Sequence, residues 1–145
     1  MVTNTYLISV KPRWADAFFN DRDPKTIELR KGNFGASLKP GNVIAIYATM
    51  PVAEVLGTVR VSMRKLLPIN ELWRLSQQGK LARVSEAQFK AYYVNQESGI
   101  GIWVEDARLL PKPIPLYRLR EAWGANWNSP QTMQKLSPVQ VILIE

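Results

Sequence analysis

The hexapeptide Lys25-Thr26-Ile27-Glu28-Leu29-Arg30 carries polar side chains at every second position. Successive side chains of a strand point to opposite faces, so Thr26, Glu28 and Arg30 share one face and Ile27 and Leu29 the other. With Lys25 at the entrance, that face offers two cations for phosphate or base oxygens and one carboxylate that accepts from a base amino group. A helical reading separates Glu28 from Arg30 and organises nothing. The bland alternative is the wet face of an exposed strand, where ion pairs are worth ~0–1 kcal/mol each.

What else the chain could use for chemistry is limited by its composition. Its 145 residues include neither cysteine nor histidine, which removes thiolate and imidazole metal sites, disulfides, and Ser-His or Cys-His nucleophile pairs. Catalysis would run on Lys, Thr, Ser, Tyr, Asp or Glu, with Lys25 and Glu28 the acid–base candidates, and no metal or cofactor is expected. Nineteen Lys and Arg against twelve Asp and Glu give a formal charge of +7, which favours a polyanion such as RNA or single-stranded nucleic acid over a charge kept for solubility. The excess is concentrated: Arg60, Arg64, Lys65, Arg74, Lys80, Arg83 and Lys90 face only Glu71 and Glu86 across the middle of the chain. Arg60, Arg64, Lys65, Arg74 and Arg83 are the candidate backbone contacts, with solvated faces as the alternative for any single one. A second acid-poor stretch holds Arg108, Lys112, Arg118 and Arg120. No apolar run approaches the ~18 residues of a membrane span and the N-terminus lacks the order of a signal peptide, so a cytoplasmic protein without a membrane partner, monomeric or weakly oligomeric, is expected.

The elements that must position these groups follow from periodicity and turn chemistry. Strands are predicted at 6–10, 25–30, 43–48, 53–63, 100–110 and 139–144, with Gly57 a bulge candidate. Helices are predicted at 13–20, 69–77 and 116–123. Another is predicted from Ser85, where Gln88 closes a capping box, through Phe89 and Tyr92, and a last turn runs from Ser129-Pro130 to Leu136. Pro111, Pro113 and Pro115 force an extended segment. Several short strands with helices inserted between them, and no linker, predict a single α+β domain over 1–145: a small mixed β-barrel of about five to seven strands. Trp14, Tyr47, Trp103, Trp123 and Trp127 are candidates for stacking on unpaired bases, with core packing the default. Trp127, between Asn126 and Asn128, is the expected exposed platform, and Gln131 is placed at a helix start facing the cleft.

The order of these pieces resembles the ASCH family of the PUA-like superfamily. The likeness covers nearly the whole chain. It rests on the strand ending in Lys11-Pro12 with a helix from Arg13 or Trp14, on Lys25 to Arg30, and on Leu38-Lys39-Pro40-Gly41-Asn42 before a buried strand. Trp103, the segment 110–116 and Ser129-Pro130-Gln131 complete it. The resemblance implies a PUA-like barrel whose cleft is lined by the first helix and the lysine–glutamate–arginine strand, so Lys11, Pro12, Trp14, Lys25, Thr26, Glu28, Arg30, Tyr47, Trp127 and Gln131 are its candidate lining. It also implies association with RNA or nucleic acid, and some members are ribonucleases or amidohydrolases on acetylated cytidine. Glu28 stands where the amidohydrolases carry a nucleophilic threonine, which argues against that activity. The leading expectation is a nucleic-acid-binding module that takes a base or nucleotide-like ligand in the cleft. The alternative is a small histidine-free hydrolase or ribonuclease working through Lys25 and Glu28.

Overall fold

Thr5-Tyr-Leu-Ile-Ser-Val10 forms strand β1, buried on both faces apart from a half-buried Ser9. Proline at the first helical position, where no N–H is needed, then opens α1 (Pro12–Ala17). The computed structural model describes residues 3–145. In order follow β2 (Ile27–Arg30), β3 (Val43–Ala48), β4 (Glu54–Pro68), α2 (Ile69–Leu75), a 3-10 turn (Lys80–Ala82), α3 (Glu86–Tyr92), β5 (Ser98–Pro115), α4 (Leu116–Trp123), β6 (Met133–Lys135) and α5 (Pro138–Ile144).

The strands make one six-stranded sheet in the order β2-β5-β4-β3-β1-β6. β1 and β3 are parallel and the other neighbours antiparallel. The α+β class and the strand number agree with the sequence, but the sheet is not closed: β2 and β6 are its edges. Val43-Ile-Ala-Ile-Tyr-Ala48 lies between β1 and β4, which is why it reads as a continuous apolar run rather than an alternation. One face gathers Ile8, Val10, Ile46, Val61, Ile100 and Ile102 under Ala15 of α1 and Phe18 just after it. The other carries Leu7, Ala45, Tyr47 and Val55 under Leu119 of α4 and Ile144 of α5. A satellite core of Leu72, Phe89 and Tyr93 packs against Leu29 and Trp103.

Three expectations change. The C-terminal VQVILI is helical, because Ser137 and Gln140 form a capping box and Pro138 occupies the first turn. The Ser129-Pro130 segment is not a helix start. It passes through a bend at 131–132 into β6, whose residues pair with Tyr6, Leu7 and Ile8. The proline-rich segment belongs to β5, where the register slips from Gly57↔Leu109 to Val55↔Ile114. Four residues of β5 (110–113) thus lie opposite the single residue Leu56, and the prolines need no ladder donor. Gly57 does mark this bulge, and a Cβ there would meet the Arg108 carbonyl at 2.3 Å.

Candidate active site

β2 sends Glu28 and Arg30 to the same side, as the alternation requires. Glu28 is 4% exposed and the residue preceding the strand by two, Lys25, 5%. Lys25 Nζ reaches Glu28 Oε1 at 2.8 Å and Arg30 Nε reaches Oε2 at 2.6 Å. Each carboxylate oxygen therefore has its own cation. Burial pushes the Glu28 pKa up, but the charges of Lys25 and Arg30 and their hydrogen bonds outweigh it and hold the carboxyl below its usual range. Arg30 continues outward: its Nη2 donates to the Ser9 carbonyl at 2.7 Å, and its guanidinium lies 4.4 Å from the Phe34 ring centroid. The Arg30 carbonyl accepts from the Tyr93 hydroxyl. Because β2 is an edge strand with no ladder to β1, this arginine is a bridge across the open side of the sheet.

A second cluster lies on the opposite face, where the segment following α4 crosses the ends of β1 and β3. Tyr47, 3% exposed, has the Trp127 ring edge-on at 6.0 Å. Burial raises the phenol pKa, while the nearby Arg120 charge and the neighbouring Ser129 hydroxyl pull the other way without cancelling the rise. Arg120 is itself held: Nε donates to the Trp127 carbonyl at 2.9 Å and Nη2 to Asn128 Oδ1 at 2.7 Å. Trp127 packs at 5.1 Å on Trp123 and donates its ring N–H to Gln134. The Tyr47 phenol, the Ser129 hydroxyl and the held Arg120 guanidinium thus share one neighbourhood. Such a set donates hydrogen bonds to an anion and can pass one proton to a leaving oxygen.

No protein-family model matches the chain. A curated ASCH domain-containing ribonuclease of Zymomonas mobilis is 32% identical over 127 residues, which span 88% of this chain and 80% of that one. The chain belongs to the ASCH domain family. The crystal structure of ASCH from Zymomonas mobilis superposes with a TM-score of 0.85 at 29% identity, covering 95% of this chain and 91% of the other. That ASCH protein has also been crystallised as a tyrosine-to-phenylalanine variant (TM-score 0.85, 28% identity, 96% and 94% covered) and as a serine-to-alanine variant (0.82, 29%, 96% and 92%). Human THYN1 in complex with 5-methylcytosine-containing DNA, at a TM-score of 0.57 and 13% identity over 98% and 95% of the two chains, shares the fold.

Of the residues singled out in this ASCH chain, the structure unites Lys25, Glu28 and Arg30, seals them, and leaves Thr26 half-buried beside them. Lys11 is exposed and Pro12 begins α1. Trp14 borders a separate cleft of about 500 Å³ with Arg13, Asp21, Lys80 and Arg83, and its indole N–H is taken by the Arg83 carbonyl. Trp127 is not an exposed platform, because its ring is packed between Tyr47 and Trp123; Gln131 is exposed on a bend. Several of the basic residues are partnered: Arg64 donates twice to the Phe34 carbonyl, Arg74 pairs with Glu71, Arg83 with Asp21 at 2.9 Å, and Arg60 donates to the Gly41 carbonyl. Lys65 is exposed. Sequence reasoning missed Arg120 and Ser129 as neighbours of Tyr47. The acid-poor stretch around Arg120 was visible, but Ser129 read as a helix cap and nothing local linked either to residue 47.

Proposed function

We propose that this ASCH protein is a ribonuclease whose reacting groups are Tyr47, Arg120 and Ser129, with Lys25, Glu28 and Arg30 as the support beneath them. The likeness to the Zymomonas mobilis ribonuclease across most of both chains is the observation that carries the reading. It is supported by the nearness of a phenol, a hydroxyl and a guanidinium in a chain without histidine. In the proposed reaction the RNA 2′-oxygen attacks the adjacent phosphorus and its proton leaves to solvent. The bond from phosphorus to the 5′-oxygen breaks as Tyr47 gives that oxygen its proton. Arg120 faces the charge that builds on the non-bridging oxygens, and Ser129 donates to the phenolate that Tyr47 becomes. The raised phenol pKa suits the donor role, since the group stays protonated at neutral pH. Glu28, ionised and with both oxygens taken, does not offer a free acceptor to a base, and Lys25 is spent on Glu28.

Incubating the purified protein with a single-stranded RNA and its 2′-deoxy counterpart tests this. Cleavage of the RNA alone, leaving 2′,3′-cyclic phosphate ends and reduced roughly 10²–10⁴-fold by Tyr47→Phe, is expected for loss of a proton donor. Equal cleavage of both strands, or full activity in Tyr47→Phe, would overturn the assignment. A second reading, RNA binding without cleavage, is favoured by the net charge of +7; it predicts binding of the same RNA with no product.

A further inference from the structure

Ser9 touches both clusters and belongs to neither. Its carbonyl accepts from Arg30 Nη2 at 2.7 Å, and its hydroxyl donates to the Pro130 carbonyl at 2.7 Å. It is also the register partner of Tyr47 on the neighbouring parallel strand. The ladder between β1 and β6 ends at the pair Ile8↔Met133. One residue further along β1, the Ser9 hydroxyl takes over from that ladder and ties down the segment that carries Ser129. We infer that Ser9 is a positioning residue, which holds Ser129 against the Tyr47 phenol and is itself held in place by the buried Lys25–Glu28–Arg30 charges. This rests on the ribonuclease reading above.

The physical argument is one of placement. Residue 129 is bonded directly to Pro130, whose φ is fixed by its ring and which has no N–H to anchor it otherwise. The contact at the Pro130 carbonyl is therefore the nearest tie by which β1 can fix the Ser129 hydroxyl. Displacements of about 1 Å near reacting groups cost up to ~10²-fold in rate. The chain from Glu28 through Arg30 and Ser9 to Pro130 uses two side-chain-to-backbone bonds of 2.7 Å, and the residues it joins are 21 and 121 positions apart in sequence. It also gives the sealed ion cluster a role that needs no contact with substrate.

The test compares Ser9→Thr with Ser9→Val, which share a shape and differ by the hydroxyl, alone and in the Ser129→Ala background. For Ser9→Val the expectation is roughly a tenfold fall in kcat with KM changed less than twofold, while Ser9→Thr retains most of the rate. With Ser129→Ala already present, Ser9→Val should add less than a twofold loss. A readout independent of turnover is the titration of the Tyr47 phenol, followed by NMR of tyrosine labelled at the ring carbon bearing oxygen. Freed from Ser129, the phenol should titrate at higher pH in Ser9→Val, and by the same amount as in Ser129→Ala. An unchanged titration, equal rates in Ser9→Thr and Ser9→Val, or a full tenfold loss persisting in the Ser129→Ala background would overturn the inference. If the unaltered protein cleaves no RNA, the ribonuclease reading fails while the titration still decides whether Ser9 sets Ser129 against Tyr47.

Discussion

Glu28 accepts from two cations, one on each oxygen, in a place that water does not reach. Replacing it with glutamine removes the charge and leaves Lys25 and Arg30 buried without a counter-ion, a change that costs ~3–5 kcal/mol when one member of a buried pair is lost. Glu28→Gln should lower the urea midpoint accordingly while Arg74→Gln, at an exposed pair, should leave it nearly unmoved. The pH dependence has a definite sign. A carboxyl whose folded pKa lies below the ordinary 4.5 contributes stability that is fully present above that value and is lost as pH falls through the folded one. Denaturation midpoints taken at descending pH should therefore drop below about pH 4.5 in the natural protein, and the part due to Glu28 should be missing in Glu28→Gln. A parallel fall in both proteins would contradict this. The alternation in residues 25–30 made the partnership of Glu28 and Arg30 legible from sequence. Burial was not legible, because a charged face against solvent and a charged cluster inside a sheet have the same period.

At the scale of elements, the two capping boxes are the plainest test of local reasoning. Ser85 with Gln88 and Ser137 with Gln140 show the same reciprocal hydrogen bonds. The first is legible in the sequence. The second was overridden by the β-branched, apolar VQVILI that follows, although Ser137-Pro138 and Gln140 carried the helix signal. α5 is only seven residues long and covers Leu7, Ala45 and Leu136 through Ile144, so its start is worth a measurable share of its stability. Ser137→Ala should cost ~1 kcal/mol, seen as a lowered Tm, and Ser137→Asp should recover most of it. β6 was hidden for another reason. Three residues, Met-Gln-Lys, have no period of their own, and they are extended because β1 offers them an edge. The same holds for the Tyr47 cluster, whose members come from a central strand, a helix and a loop, and meet only when the sheet has formed.

For the molecule as a whole, charge is the property that sequence states and structure refines. Of the five cations proposed for RNA, Arg60, Arg64, Arg74 and Arg83 already have protein partners, which leaves fewer for phosphates than the count suggests. If about three cations meet phosphates, affinity for a single strand should fall about 20-fold between 50 and 200 mM salt, from a slope of ~0.7 per contact. Charge reversal at Lys65 and Lys112, both exposed, should flatten that slope in a filter-binding or anisotropy titration. A slope unchanged by these reversals would place the strand elsewhere. Among the described residues no helix is long and apolar enough to cross a membrane.

The pairing of Pro68 with Ser98 has a consequence for how this chain can be rebuilt. Everything between them, including α2 and α3, leaves the sheet and returns to the same rung, so its two ends are neighbours in space. Such an excursion can be exchanged for a different one provided its outward ties are replaced: Leu81 to Thr26, Arg83 to Trp14 and Asp21, Tyr93 to the Arg30 carbonyl, and the packing of Leu72, Phe89 and Tyr93 on Leu29 and Trp103. Residues 69–97 are in that sense a graft site: new recognition surface can be installed there, and the groups around Tyr47, on other elements, would stay where they are.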